Sequence, residues 1–171
     1  MLRRLVALVC LGGSLAAAER ATAQVVNLTD LNTAQIRALD RARTMVFLQG
    51  GMLEEHRPYL PAFTDGFLSE RLVADVARGV VAAKPGWTAL VFPAVSVGAS
   101  GSNEIGGHFS FPGTFAIRPS TLRALFMDLA SEVGEQGFRW IMVVHVHGSP
   151  LHIGAIDDAS DFFQHTTADA W

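Results

Sequence analysis

Residues 45–65 read MVFLQGGMLEEHRPYLPAFTD, an apolar run that leads directly into a polar segment punctuated by prolines. A continuous apolar run that ends at glycines is typical of a buried strand. Glycine and proline predict that the segment after it is a loop. This loop carries Glu54, His56 and Asp65. Since Glu54 and His56 are two residues apart, an extended backbone would point both side chains to the same side.

Carboxylate and imidazole groups at the end of a strand are the materials of a metal site. In open α/β sheets the carboxyl ends of parallel strands share one edge, and ligands bind there. Mixed imidazole and carboxylate ligation suits zinc and manganese. The alternative for these three side chains is a loop held by hydrogen bonds without a metal, so other parts of the chain must decide between the two.

The composition is that of one globular domain. The chain has 171 residues, of which half are hydrophobic and 17% are charged. This supplies a sizeable core and is not typical of a disordered chain. The net charge is −3, lysine occurs once, at Lys84, and no stretch is rich in lysine and arginine. We therefore expect no nucleic-acid partner.

The N-terminus has the features of a secretory signal peptide over residues 1–23. Arg3 and Arg4 precede an apolar stretch at 5–15, which is too short to span a bilayer. Residues 21–23 read Ala-Thr-Ala and fit a signal-peptidase cleavage site. These features predict a periplasmic or secreted protein without a stable membrane anchor. The alternative is an uncleaved anchor.

Residues 24–171 are predicted to form one α/β domain. Buried strands are expected at 44–49, 87–92 and 139–146, and helices at 68–83, 119–136 and 151–163. Residues 25–43 are expected to hold a short polar lead and a helix, capped by Thr29 or by Asn32, which has Gln35 three residues on as in a capping box. This alternation predicts a three-layer αβα architecture around a mainly parallel sheet. The one cysteine, Cys10, lies in the predicted signal peptide, so the mature domain would have no disulfide.

Histidines stand at the end of the third predicted strand and in the loop after the second. His145 and His147 would meet the 54–65 loop at the same edge of the sheet. His108 lies in an irregular, glycine-rich segment at 93–117. A segment of that length in a compact domain is usually functional or disordered, and its aromatic residues favour a functional role.

Three ordered blocks make the chain resemble the creatininase family of metal-dependent amidohydrolases. The first is Glu-Glu-His-Arg-Pro-Tyr-Leu-Pro at 54–61, with Asp65 nine residues after the first histidine. The second is His-Phe-Ser-Phe-Pro-Gly-Thr at 108–114. In the third, Gly-Phe-Arg at 137–139 leads to a strand that ends in His147 and a glycine. The blocks cover residues from about 44 to 165.

The resemblance implies a site for two divalent metals, zinc, manganese or both. Glu54 and His147 would bind one metal and His56 the other, and Asp65 would bridge them. In relatives, a water held between the metals attacks the carbonyl of a linear or cyclic amide.

The resemblance also implies a substrate pocket and a longer chain. His108 and Ser102 would lie beside a small amide substrate. Relatives assemble, so a homo-oligomer is a further expectation. Relatives also run well beyond Trp171 and carry a later block with a functional glutamate. We therefore expect the 24–171 domain to be incomplete at its C-terminal end.

Several positions depart from the family pattern. Arg57 and Tyr59 replace a glycine and a histidine of the first block, and Arg57 would either add positive charge near the metals or turn to solvent. Ser149 stands where the creatininase enzyme has a glutamate that completes the second metal site. Pro150 stands where many relatives have an asparagine. The second metal would thus lack a ligand, and the sequence identifies no general acid or base.

Two functional hypotheses follow. The chain is either an exported metal-dependent amidohydrolase or a non-catalytic relative that keeps the fold and part of the metal site. Three acidic side chains on the last predicted helix could stand in for the missing glutamate but are expected to form its solvated face: Asp157, Asp158 and Asp161.

The remaining histidines and the strand-leading tryptophans are assigned to packing or to the surface. His145 is expected to support a neighbouring ligand or to pack in the core, and His152 and His165 are expected on the surface. Trp87 and Trp140 are expected to serve packing.

Overall fold

The structure, a computed structural model, describes residues 24–100 and 111–167. The predicted signal peptide lies outside these ranges and stays a prediction. The strands are β1 (Gln24–Asn27), β2 (Thr44–Gly51), β3 (Thr88–Val91) and β4 (Trp140–Val146). The helices are α1 (Thr33–Ala38), α2 (Thr64–Ala83), α3 (Pro119–Glu135) and α4 (Pro150–Thr167). Short 3-10 turns occupy Leu28–Asp30 and Arg41–Arg43.

The four strands form one parallel sheet in the order β1-β3-β2-β4. Each crossover runs through a helix, as parallel pairing requires. The predicted α/β class, with helices covering a parallel sheet, is confirmed. The register sets Gly51, the last residue of β2, opposite Val146, the last residue of β4. The segments that follow these two strands therefore begin side by side.

Alternation along β2 supplies two cores, one on each face of the sheet. Val46 and Leu48 pack with buried residues of α3 and α4, whereas Phe47 packs with Val73 and Ala77 of α2. Successive side chains of a strand point to opposite faces, so an unbroken apolar run is what a strand covered on both sides needs. This arrangement confirms the prediction that the apolar run is a buried strand.

Two local predictions need correction, and a third is confirmed. Helix α2 begins at Thr64, not at residue 68, because the Thr64 N–H and hydroxyl both donate to the Pro61 carbonyl, at 3.1 Å and 2.7 Å. Residues 24–27, expected as a polar lead, form an edge strand that pairs with β3. The predicted cap is correct: Asn32 and Gln35 form a capping box at the start of α1.

In the described part of the chain, no helix combines the length and the apolar character that a membrane span requires.

Candidate metal centre

The ends of β2 and β4, together with the start of α2, bring the predicted ligands together. Glu54 and His56 follow β2, and His147 follows β4 directly. Asp65 lies in the first turn of α2. The sequence predicted a loop at Asp65. In the structure the helix fixes the backbone of this residue more firmly than a loop would. The site thus forms at the carboxyl edge of the sheet, where the sequence placed it.

Asp65 is the centre of the cluster, because its two oxygens face different histidines. Oδ1 lies 3.3 Å from Nε2 of His56, and Oδ2 lies 3.0 Å from Nδ1 of His147. Glu54 Oε1 also lies 3.0 Å from Nδ1 of His147. The side chain of Asp65 is only 12% exposed and that of His147 only 7%. Four polar groups therefore meet in a mostly buried place.

The chemistry of these groups fits a divalent cation. One ligand atom from each of Glu54, His56 and Asp65 lies within 4.8 Å of the others. Burial raises the pKa of the Glu54 carboxyl, and the nearby Asp65 carboxylate adds to this, while His147 and His56 act against it. In a poorly hydrated site, each of two neighbouring carboxylates makes ionisation of the other less favourable. A bound cation would stabilise both negative charges.

His145 ties the end of β4 to the segment after β3. Its Nε2–H donates to the Val95 carbonyl at 3.1 Å, and its ring meets the ring of Phe126 edge-on, with centroids 5.5 Å apart. The Val95 carbonyl also accepts the Gly51 N–H at 3.1 Å. Burial lowers the pKa of His145 to about 4, so this imidazole is neutral. Packing against the core, one of the two roles expected for His145, is confirmed by its contact with Phe126.

The prediction that His152 lies on the surface is wrong. Its side chain is 0% exposed, and burial lowers its pKa to about 4. Helix α4 starts at Pro150, shortly after β4 ends at Val146, so its first turn lies close to the sheet edge. The spacing held a signal that could have revealed this: His152 stands three and seven residues before Ala155 and Ala159, which are the buried positions of α4.

The other surface predictions for α4 are confirmed. His165 is exposed, and so are the three aspartates proposed as its solvated face: Asp157, Asp158 and Asp161. The tryptophans pack on each other as expected, with ring centroids of Trp87 and Trp140 5.8 Å apart.

Two of the residues that depart from the family pattern face solvent. Arg57 turns to solvent in a left-handed conformation, with φ of 58°, and Tyr59 is 86% exposed. The Ser149 hydroxyl is buried and has no hydrogen-bond partner among residues 24–100 and 111–167.

His108 and Ser102, the predicted substrate contacts, lie in 101–110, outside the described residues. The segment just beyond that range runs along the ligand segment. The Glu55 N–H donates to the Thr114 hydroxyl at 3.0 Å, and the Phe115 N–H donates to the Leu53 carbonyl at 2.9 Å. Local sequence patterns could not predict these two contacts, because they join segments about 60 residues apart.

Comparisons with known proteins agree with this geometry. The family model for creatininase, described as creatinine amidohydrolase, matches residues 29–171. The mycofactocin precursor peptide peptidase of Mycolicibacterium smegmatis is 33% identical over 144 residues, which are 82% of this chain and 53% of the relative. The chain thus spans about half the length of the curated relatives it matches.

Solved creatininase structures share the fold. A manganese creatininase superposes with a TM-score of 0.69 at 23% identity, over 85% of this chain and 54% of that one. A Zn-Zn form of a creatininase variant superposes with a TM-score of 0.60 at 23% identity, over 81% and 52%. With the family model matching most of its length, the chain belongs to the creatininase family.

Proposed function

We propose that this protein is a metal-dependent amidohydrolase that cleaves a C–N bond in a small amide or a short peptide. The observation that carries the proposal is the position of Asp65, whose two oxygens face His56 and His147 separately. A carboxylate used in this way can join two metal ions. Relatives support the choice of metals, since solved creatininases include a manganese form and a Zn-Zn form.

Each residue of the cluster would have a defined task. Glu54 and His147 would hold one divalent ion, His56 would hold the second, and Asp65 would bridge them. The carboxylates would also offset the charge of the ions. When bound, the metals would supply Lewis-acid chemistry that makes water a nucleophile near neutral pH and polarises an amide carbonyl.

The neighbourhood of the cluster supports this assignment. The Glu55–Thr114 hydrogen bond holds the ligand segment against the chain that leads away from the predicted substrate loop. The imidazole rings of His145 and His152, near His147, are neutral and therefore add no positive charge to the cluster. A ligand histidine in such surroundings keeps its orientation while the metals remain the main source of positive charge.

Two kinds of relative support the proposed substrate class. The family model is described as creatinine amidohydrolase, whose substrate is a small cyclic amide. The relative that shares 33% identity is a peptide peptidase. We propose an amide of one of these sizes, hydrolysed outside the cytoplasm after removal of residues 1–23. The homo-oligomer also stays a prediction.

A non-catalytic relative is the second candidate, and one observation favours it. Ser149, where the creatininase enzyme has a glutamate, has a buried hydroxyl that makes no hydrogen bond within the described ranges. If nothing replaces that glutamate, the second ion would be weakly held. In that case the protein would bind one metal and hydrolyse nothing.

Metal stoichiometry and turnover of the full chain distinguish the two candidates. The protein would be loaded with manganese or zinc, dialysed, and measured for metal content and for hydrolysis of creatinine and of short peptides. Two ions per chain, with hydrolysis that is lost in Asp65→Ala, support the enzyme. One ion or none, without hydrolysis of either substrate class, overturns it.

A further inference from the structure

His152 is a fully buried side chain that nothing in the proposed mechanism uses. Its Nδ1 accepts a hydrogen bond from the Ala99 N–H at 3.2 Å. Because a backbone N–H can only donate, Nδ1 carries the lone pair and the ring proton sits on Nε2. The tautomer of this neutral imidazole is therefore fixed by the backbone of the segment after β3.

The ring of His152 also touches the ligand His147. The two ring centroids lie 5.0 Å apart, and the rings are nearly perpendicular, at 73°. On another side, the ring of His145 lies 4.6 Å away at 37°. The Nε2 atom of His147 is buried and makes no hydrogen bond to any described residue. Among these residues, no hydrogen bond holds Nε2 of His147, whereas the ring of His152 packs against the same imidazole.

The backbone beneath His152 is the base of the long loop between β3 and α3. A Cβ built on Gly98 would lie 2.7 Å from Nδ1 and Cε1 of His152, so the ring rests directly on this glycine. The Gly98 carbonyl accepts the Ile117 N–H at 2.9 Å. Both ends of the segment between Gly98 and Ile117 thus meet where His152 holds the backbone.

We infer that His152 is a positioning residue with two separable tasks. Its ring orients His147 toward the metals, and its Nδ1 fixes the backbone after β3 through Ala99. The inference rests on the proposed metal site, but its test does not need turnover. Contacts that fix a ligand ring usually change metal affinity by about 10- to 100-fold when they are removed.

Two substitutions at His152 separate these tasks. His152→Asn keeps an acceptor oxygen where Nδ1 stood but removes the ring that packs against His147. His152→Phe keeps an aromatic ring but removes the acceptor for the Ala99 N–H. The matched controls are His165→Asn and His165→Phe, on the exposed end of the same helix.

The readouts are the affinity of the full chain for manganese or zinc and the hydrogen exchange of the Ala99 amide. We expect His152→Asn to bind metal at least about tenfold more weakly, with Ala99 protection unchanged. We expect His152→Phe to keep the affinity, while the Ala99 amide exchanges at least about tenfold faster because its acceptor is gone. The His165 variants should change neither.

A purely structural role for His152 gives a different pattern. Both variants would then lose stability together, and metal affinity and amide exchange would not divide between them. Unchanged affinity in His152→Asn alone overturns the inference, even if His152→Phe does not fold. A chain that hydrolyses no amide but shows the divided pattern refutes the proposed function and leaves the role of His152 intact.

Discussion

Gly51 lies directly against the backbone of Asp65: a Cβ built on Gly51 would stand 2.5 Å from the Asp65 carbonyl carbon and would also collide with the Gly66 nitrogen. Glycine is the residue that allows the first turn of α2 to rest on the end of β2. This close approach carries the Asp65 carboxylate to His56 and His147. The glycine pair that ends the apolar run thus shapes the metal centre and does more than end a strand.

Replacing Gly51 with alanine should damage stability and metal binding together. The extra methyl group meets backbone atoms, which cannot rotate away, so the helix must shift. Overpacking of this kind costs about 1–3 kcal/mol of the free energy of unfolding, measured by urea denaturation of the metal-free chain. Metal titration should show weaker binding by the same variant.

The matched control is Gly79→Ala in the same helix. Gly79 is exposed, and a Cβ there meets no atom within 4 Å. Since alanine favours helix over glycine by about 1 kcal/mol, this variant should be as stable as the parent or more stable. A Gly51→Ala protein that matches the control in both measurements would contradict the proposed role of the close approach.

Replacing Asp65 with asparagine should remove metal from both parts of the centre. The amide keeps the shape of the side chain but cannot offer a charged oxygen to each histidine. We expect affinity for manganese or zinc to fall at least about tenfold, measured as metal content after dialysis. Asp75→Asn is the control, since Asp75 on the exposed side of α2 pairs with Arg71 and Arg78. Retention of two ions by Asp65→Asn would argue against a bridging carboxylate.

The sequence was sufficient for features that local patterns encode. The buried character of β2, the capping box at Asn32 and the end of α2 before Lys84 all follow from a few adjacent residues. The approach of His147 to Asp65 spans 82 residues of chain. This approach could be predicted only from the general rule that the carboxyl ends of parallel strands share an edge, together with the family resemblance.

What the sequence did not reveal depends on contacts between distant segments. Strand β1 has four residues and is a strand because it pairs with β3. A pattern of four residues is too short to predict this. His152 looked like a surface residue because histidine is polar, yet its packing on Gly98 and its bond to Ala99 decide its burial. No sequence pattern pointed to Ser69, although its hydroxyl links α2 to β2 and β4.

Ser69→Ala tests that junction. Ser69 is fully buried, donates to the Val144 carbonyl at 2.6 Å and accepts the Gly50 N–H at 3.2 Å. Removing the hydroxyl leaves both strands without this link to α2. Loss of a buried partner costs about 1–3 kcal/mol, measured by urea denaturation.

Ser160→Ala provides the comparison for Ser69→Ala. The Ser160 hydroxyl donates to the Ile156 carbonyl within α4. That bond bridges no separate elements, and serine back-bonding of this kind does not stabilise a helix. The Ser160 variant should therefore lose little. Equal losses in the two variants would show that Ser69 is not a special junction.

The metal-free protein should lose stability as the pH falls from about 6.5 toward 4. Burial lowers the pKa values of His145 and His152 to about 4, whereas the unfolded chain titrates these groups near 6.5. Between these pH values, His145 and His152 bind protons in the unfolded chain but stay unprotonated in the folded chain. The free energy of unfolding then falls by about 1.4 kcal/mol per pH unit for each such proton.

The share of His152 can be isolated as a difference in slope. His147 and Asp65 also act on the pKa of this ring, and the pKa of His145 is itself lowered. The raised pKa of Glu54 has the opposite effect, stabilising the fold at acid pH. These groups remain in His152→Asn, so its unfolding free energy, measured in urea with a chelator at several pH values from 7 to 4, should fall less steeply than that of the parent. His165→Asn, altered at an exposed site, should keep the parent slope. Parallel curves for the parent and His152→Asn would contradict the lowered pKa of His152, because they would mean that the buried ring takes up its proton as readily in the folded chain as in the unfolded one.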